Sequence, residues 1–349
     1  MKFTYKNKKV LITGNTGFKG SWLSMILKNM GAEVLGYSLK PDTKPSLFEI
    51  CNLKNEVRTV YGDIKDNKLL EETVTEFDPD IIFHLAAQPL VRLSYKDPRL
   101  TYETNVIGTL NVYEAARKCS NLKAIVSITT DKCYENKEWV YGYRENDSMG
   151  GYDPYSSSKG CMELLSSSYR RSFFEKQGIL LATCRAGNVI GGGDWAEDRL
   201  LPDFARAVSE DKNINLRNPL ATRPWQHVLE PLSGYLAIGE KLLEGKKEFA
   251  EGWNFGPNDS DILSVKDILD ESIKVWGKGS YELDKSENPH EAMSLKLDIS
   301  KAKLMLKWQP KYNVQNAVEK TIKWYKEFYT RNIDMKEYTN SQINEYFNL

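Results

Sequence analysis

Short apolar runs alternate with longer amphipathic stretches through the first half of the chain. Val10–Ile12, Glu33–Tyr37, Ile81–Leu85, Ala124–Ile128 and Ile179–Cys184 carry apolar residues on both alternating faces. Such runs fit strands covered on both sides. Between them, residues 20–30 and about 101–118 read as helices. A third helix starts near Tyr155 and runs to about Gln177, ending at Gly178 as helices often do. Strand–helix repetition predicts right-handed crossovers and a doubly wound parallel α/β sheet. After Arg185 the rhythm changes. Gly191-Gly192-Gly193 breaks the chain, and Pro202, Pro219 and Pro224 punctuate short helices. A smaller α/β lobe is expected there, over the C-terminal ends of the strands.

The first run leads into Gly14-Asn15-Thr16-Gly17-Phe18-Lys19-Gly20 and then a helix, a G-x-x-G-x-x-G spacing. A tight turn at a strand end lets backbone approach a pyrophosphate, and the helix N-terminus offers free N–H groups. The expectation is a Rossmann dinucleotide-binding domain over 1–187 and a second, substrate-binding lobe over mainly 188–349. A helical segment near 225–250 is expected to return to the first domain. The turn residues Gly14, Thr16, Gly17, Phe18, Lys19 and Gly20 are cofactor candidates. So are Ile64, Ala86, Ala87, Gln88 and Asn105. Asp63 stands where a strand would end; its carboxylate suits an adenine amino group or a turn. The second run ends in Ser38-Leu39-Lys40, without the acidic residue that usually takes the ribose hydroxyls. Ser38 can bond one hydroxyl and Lys40 tolerates a 2′-phosphate. NAD is expected, with NADP open at this position.

Four Y-x-x-x-K matches occur: Tyr5/Lys9, Tyr61/Lys65, Tyr155/Lys159 and Tyr281/Lys285. Only Tyr155 opens a long helix after the Ala124–Ile128 run. The spacing puts Tyr155 and Lys159 on one helical face. The expectation is that the lysine ammonium lowers the tyrosine pKa from about 10 and makes the phenolate a usable base.

Composition narrows the classes. The chain has 349 residues, with 48 basic and 48 acidic side chains. A zero balance argues against a nucleic-acid partner. No apolar run approaches the roughly 18 residues of a membrane span, and the run before Gly14 is too short for a secretory leader. The five cysteines are scattered without a CxxC, and His84, His227 and His290 lie far apart. A cytoplasmic protein without a metal site is expected. His84 and His227 read as satisfied core residues. Trp195, Trp225 and Trp253 read as core or lobe-interface residues, with base stacking open for each.

Thr13-Gly14-x-x-Gly17-x-x-Gly20, Asp63 and Tyr155-x-x-x-Lys159 together resemble the extended short-chain dehydrogenase/reductase family of nucleotide-sugar enzymes. Ser127-Ile128-Thr129-Thr130-Asp131-Lys132-Cys133-Tyr134 resembles the active-site strand end of its sugar-nucleotide 4,6-dehydratases. The stretches 185–195 and 223–232, with His290-Glu291-Ala292 and 297–302, resemble the branch that acts on CDP-glucose. The likeness covers about residues 5 to 325.

The resemblance implies loss of water from CDP-glucose or a related sugar nucleotide, with NAD and no net redox change. It implies Tyr155 as base at the C4 hydroxyl, Lys159 on the ribose, Thr130 at the C4 oxygen and Asp131 as the acid for the C6 hydroxyl. Many relatives carry glutamate after that aspartate as the base for C5–H, whereas Lys132 stands here. A lysine accepts a proton only when neutral, which positive charge from Lys159 and the nicotinamide favours. Lys132 is therefore the C5 base, or it positions substrate while another group acts. Asn188, Arg199, Arg223 and His290 match diphosphate or substrate contacts. Helices around 101–118 and 158–177 imply a homodimer or homotetramer. Rival readings are an inverting UDP-N-acetylglucosamine 4,6-dehydratase, a 4-epimerase, and a non-catalytic dinucleotide sensor.

Overall fold

The computed structural model describes residues 3–283 and 294–349. His290 lies outside the described residues, as do Glu291 and Ala292. Six parallel strands arise from the first half: β1 (Lys9–Thr13), β2 (Glu33–Ser38), β3 (Arg58–Tyr61), β4 (Ile81–His84), β5 (Ala124–Ile128) and β6 (Leu180–Ala186). Their order is β6-β5-β4-β1-β2-β3. Gly252–Phe255 adds a seventh strand beside β6, also parallel. This strand is short and carries Gly and Asn, so it lacks the aliphatic run that marks the others. It follows the Leu229–Leu243 helix, which is buried along most of its length and packs on β5 and β6. The chain thus rejoins the sheet over residues 229–255.

Strand residues divide between two apolar layers, as a period of two requires. Val10, Ile12, Val126, Ala182 and Cys184 join one layer. Leu11, Ile82, Ile125 and Leu181 join the other, with Val112, Tyr113 and Phe174. The first layer continues into the aromatic cluster of Trp195, Trp324, Tyr325 and Phe328. One core therefore runs from the sheet into the C-terminal helices Val314–Thr330 and Met335–Phe347. Among the described residues, the stretch between β6 and Val314 also forms two-stranded ladders and the amphipathic helices Leu200–Ser209 and Val265–Trp276.

Two expected long helices are interrupted. Pro98–Tyr102 passes through a π-turn at Glu103–Ile107 into Gly108–Ala116. Pro154–Tyr169 passes through Arg170–Phe174 and ends at Gly178, whose φ is 73°. Asp153 caps the latter, accepting from Ser156 N at 2.9 Å, with Pro154 in the first turn. That cap fixes where Tyr155 begins the helix. Among the described residues no helix is long and apolar enough to cross a membrane.

Candidate active site

Two cavities open at the C-terminal ends of the strands. The first is lined by Gly14, Thr16, Gly17, Phe18, Gly20, Ser38, Lys40, Asp63, Ile64, Ala86, Ala87 and Lys159. The second is lined by Thr130, Asp131, Lys132, Asn188, Arg223 and Trp225. Lys19, Pro89, Thr129, Tyr155, Asp194 and Arg199 line both. Tyr155 therefore stands on the wall the cavities share.

The first cavity fits a dinucleotide. Gly14 has φ +76°, and a Cβ there would lie 2.8 Å from Ala86 N. A Cβ on Gly20 would lie 2.0 Å from Gly14 O. Only glycine permits this closeness of turn, helix and neighbouring strand end. Gly17 caps the following helix, α1 (Phe18–Asn29), without a side-chain bond. Its first N–H groups remain available to an anion. At the β2 end, Thr16 donates to Leu39 O at 2.8 Å and so accepts from Ser38 Oγ at 2.7 Å. Asp63 Oδ1 accepts from Lys65 N at 2.9 Å, so the carboxylate shapes the turn while lining the cavity.

Two cofactor candidates take a different place. Gln88 and Asn105 line neither cavity. Asn105 Oδ1 accepts from Gln88 N at 2.8 Å, and its amide donates to Gln88 O and to Ser158 Oγ, at 3.1 and 2.9 Å. Asn105 sits in the π-turn and ties the loop after β4 to the Tyr155 helix. His84 supports the same loop. Thr109 Oγ1 donates to Asn105 O at 2.6 Å, so His84 Nε2–H donates to Thr109 at 2.9 Å. His84 Nδ1 then accepts from Thr13 Oγ1 at 2.7 Å, and Thr13 accepts from Ala86 N at 3.2 Å. Burial, with the Lys159 charge, brings His84 down to about 3, so this imidazole is neutral.

At the shared wall a further cation, Arg199, joins the Tyr155–Lys159 pair. Burial pushes Tyr155 up to about 12, against its hydrogen bond with Thr130 and the charge of Arg199. Lys159 is itself buried and brought down to about 7, with Lys19 adding to the effect. Its Nζ donates to Ile128 O at 3.3 Å. Arg199 is a cation that favours the phenolate form of Tyr155. Asp194 holds Arg199 at 2.5 Å and keeps it charged. Crowding by protein and the Arg199 charge bring Lys19 down to about 8.

In the second cavity Thr130 Oγ1 donates to Asp131 Oδ1 at 2.9 Å. Burial raises the Asp131 carboxyl against the opposing pull of Lys132, Thr130 and Arg223. A buried carboxyl of this kind suits an acid that must hold a proton. Lys132 follows it on a short 3₁₀ turn. Farther out, Asp198 pairs with Arg217 at 2.9 Å and with Arg92 at 3.5 Å, and all three line this cavity. Sequence reasoning passed over this trio, because Arg92 lies in the short Val91–Lys96 helix after β4 and no local spacing joins it to Asp198. Of the tryptophans, Trp225 lines the second cavity and Trp195 the first, while Trp253 is wholly buried and stacks on Phe249.

A glycine turn after the first strand of such a sheet, with the Tyr155–Lys159 helix across from it, defines an extended short-chain dehydrogenase/reductase. The family model described as GDP-mannose 4,6 dehydratase matches residues 11–321, and the chain belongs to that family. It is 51% identical over 348 residues to the CDP-glucose 4,6-dehydratase of Salmonella typhimurium LT2, covering 98% of this chain and 97% of that protein. A dTDP-glucose 4,6-dehydratase from Streptomyces venezuelae, solved with NAD, shares the fold at a TM-score of 0.79 and 22% identity, over 91% of this chain and 97% of that one. A UDP-glucuronic acid 4-epimerase from Bacillus cereus, solved with NAD, has a TM-score of 0.79 and 25% identity, over 92% and 99%.

Proposed function

We propose that the chain is a nucleotide-sugar 4,6-dehydratase that converts CDP-glucose to CDP-4-dehydro-6-deoxyglucose and water. The observation that carries this reading is Tyr155 on the wall between the cavities, with Thr130, Asp131 and Lys132 on the far side. The 51% identical relative carries CDP-glucose in its name, and the cytosine preference rests on that likeness. Gly14, Thr16, Gly17, Phe18, Gly20, Ser38, Asp63, Ile64, Ala86, Ala87 and Lys159 would hold NAD. When bound, NAD supplies reversible hydride acceptance, from C4 of the sugar and back to C6.

The protein's own groups then move protons. Tyr155 takes the C4 hydroxyl proton, and Thr130 bonds the same oxygen. At about 12 the tyrosine of the free protein is a phenol, so its base form develops in the filled site, favoured by Arg199 and Thr130. The 4-keto group makes the C5 proton acidic. Lys132 takes that proton and returns it to C5 when C6 is reduced, and Asp131 donates to the departing C6 hydroxyl. Arg223, Asn188 and Arg199 face the diphosphate. A 4-epimerase needs Tyr155 but no such acid–base pair.

The first domain is read as 1–187 with the return over 229–255, and the remainder as mainly the sugar-nucleotide lobe. Tyr102, Ile107 and Leu164 are exposed apolar residues on the helices expected to pair subunits, which favours a homodimer or homotetramer. A cytoplasmic location fits a nucleotide-sugar substrate. Incubation with CDP-, dTDP-, GDP- and UDP-glucose, with NAD, tests the reading. It predicts a product lighter by one water from CDP-glucose first; an unchanged mass would refute it.

A further inference from the structure

One buried charge pair beside the shared wall has no part in the proton transfers. Glu163 lies one turn beyond Lys159 on the Pro154–Tyr169 helix, and Arg185 lies on β6. Both are buried, and they meet at 2.8 Å. Glu163 is fully engaged. Its Oε1 accepts from Thr129 Oγ1 at 2.5 Å and from Arg185 Nε at 2.9 Å. Its Oε2 accepts from Thr183 Oγ1 at 2.7 Å and from Arg185 Nη2 at 2.8 Å. Four donors leave no place for a proton on the carboxylate. Burial raises this carboxyl, but Arg185 and the hydroxyls outweigh it and hold it low.

The pair joins three elements. Thr129 follows directly on β5 and immediately precedes Thr130, Asp131 and Lys132; its N–H donates to Cys184 O on β6 at 2.9 Å. Arg185 is anchored in turn, donating from Nη1 to Tyr134 OH at 2.6 Å and to Glu145 O at 2.9 Å. The helix that carries Tyr155 and Lys159 is thereby held in register with the strand end that carries the acid and the base.

We propose that Glu163 is a positioning residue of this active site: clamped by Arg185, it fixes the helix to the end of β5 and supplies the counter-charge for Lys159. The proposal rests on the dehydratase reading for its use in turnover, but its charge relationship is independent of substrate. Lys159 faces Lys19 from α1, Glu163 from its own helix and Cys133 from the turn after β5. Lys19 opposes its charge, whereas Glu163 favours it. Around Glu163 stand Arg185, Arg170, Cys133, Cys184 and Tyr113. Glu163 thus offsets part of the effect of burial and of Lys19 on Lys159.

The test reads Lys159 directly. Competitive acylation of the folded, substrate-free protein across pH, followed by peptide mass spectrometry, gives the midpoint at which Lys159 becomes nucleophilic. Glu163→Gln is expected to lower that midpoint by about one pH unit or more, since it removes an opposite charge from a desolvated site. Glu163→Asp keeps the charge and should restore most of the difference. Thr129→Val cuts the strand link but keeps the charge, so the midpoint should hold while turnover of CDP-glucose falls. Should Glu163→Gln strand Arg185 and unfold the protein, Glu163→Gln with Arg185→Met removes both charges and leaves a neutral pair, and the midpoint should again drop. A variant with lower melting temperature and an unmoved Lys159 midpoint would make Glu163 a purely structural residue and overturn the proposal. Failure of the wild type to turn over CDP-glucose would instead strike the dehydratase reading and leave this titration intact.

Discussion

Lys159 lies one helical turn beyond Tyr155, its Nζ donates to the Ile128 carbonyl at 3.3 Å, and Arg199 also favours the phenolate. The arrangement has a physical cause. A buried ammonium seeks an oxygen, and the open end of β5 provides one. Arg199 is fixed by Asp194 and keeps its charge at any working pH.

Arg199→Met should therefore move the basic form of Tyr155 to higher pH. Below the optimum, and at fixed pH, a tyrosine made ten times weaker as an acid leaves about ten-fold less phenolate and a rate lower by the same factor. Arg199→Lys should recover part of the loss. The pH–rate profile of CDP-glucose turnover checks this; an unmoved acidic limb in Arg199→Met would return the role to another group.

Lys132→Met should leave C4 oxidation and stop the elimination. Solvent deuterium should no longer enter C5, while near-ultraviolet absorbance of reduced nicotinamide still rises on mixing with substrate. Wild-type rates of deuterium uptake in this variant would remove Lys132 from the base role and leave it a substrate contact.

Much of the fold and site was legible in the sequence, because it depends on local pattern. The five apolar runs are all strands, since residues on both faces are buried. The glycine turn, the start of the Tyr155 helix and its end at Gly178 follow from short-range chemistry. What stayed hidden depends on long-range placement. Gly252–Phe255 joins the sheet through pairing with β6 rather than through its own composition. Lys19 and Arg199 are far apart in sequence and meet only at the shared wall. The π-turn at Glu103–Ile107 diverts Asn105 into the loop after β4, which no helical periodicity announces.

Gly20→Ala should abolish cofactor binding with little loss of soluble protein from the rest of the fold. The new methyl would stand 2.0 Å from Gly14 O, so the turn must open. Calorimetric titration with NAD checks the loss; an affinity within about two-fold of wild type would contradict the need for so tight a turn.

Acid should destabilise the protein between about pH 6.5 and pH 3. Burial holds His84 and His227 at about 3, well below the roughly 6.5 of an imidazole in water. Over that window the unfolded chain binds protons that the native imidazoles refuse, so stability rises with pH. The slope is about 1.4 kcal/mol per pH unit for each histidine. Denaturant titrations across the window should show it, and His84→Gln should flatten the curve by about half of the histidine contribution.

The proposed reaction is an internal transfer within one sugar. CDP-glucose carrying deuterium at C4 should give a 4-dehydro product, lighter by one water, with the deuterium at C6. A product with protium from solvent at C6, or one of unchanged mass with C4 inverted, would contradict it.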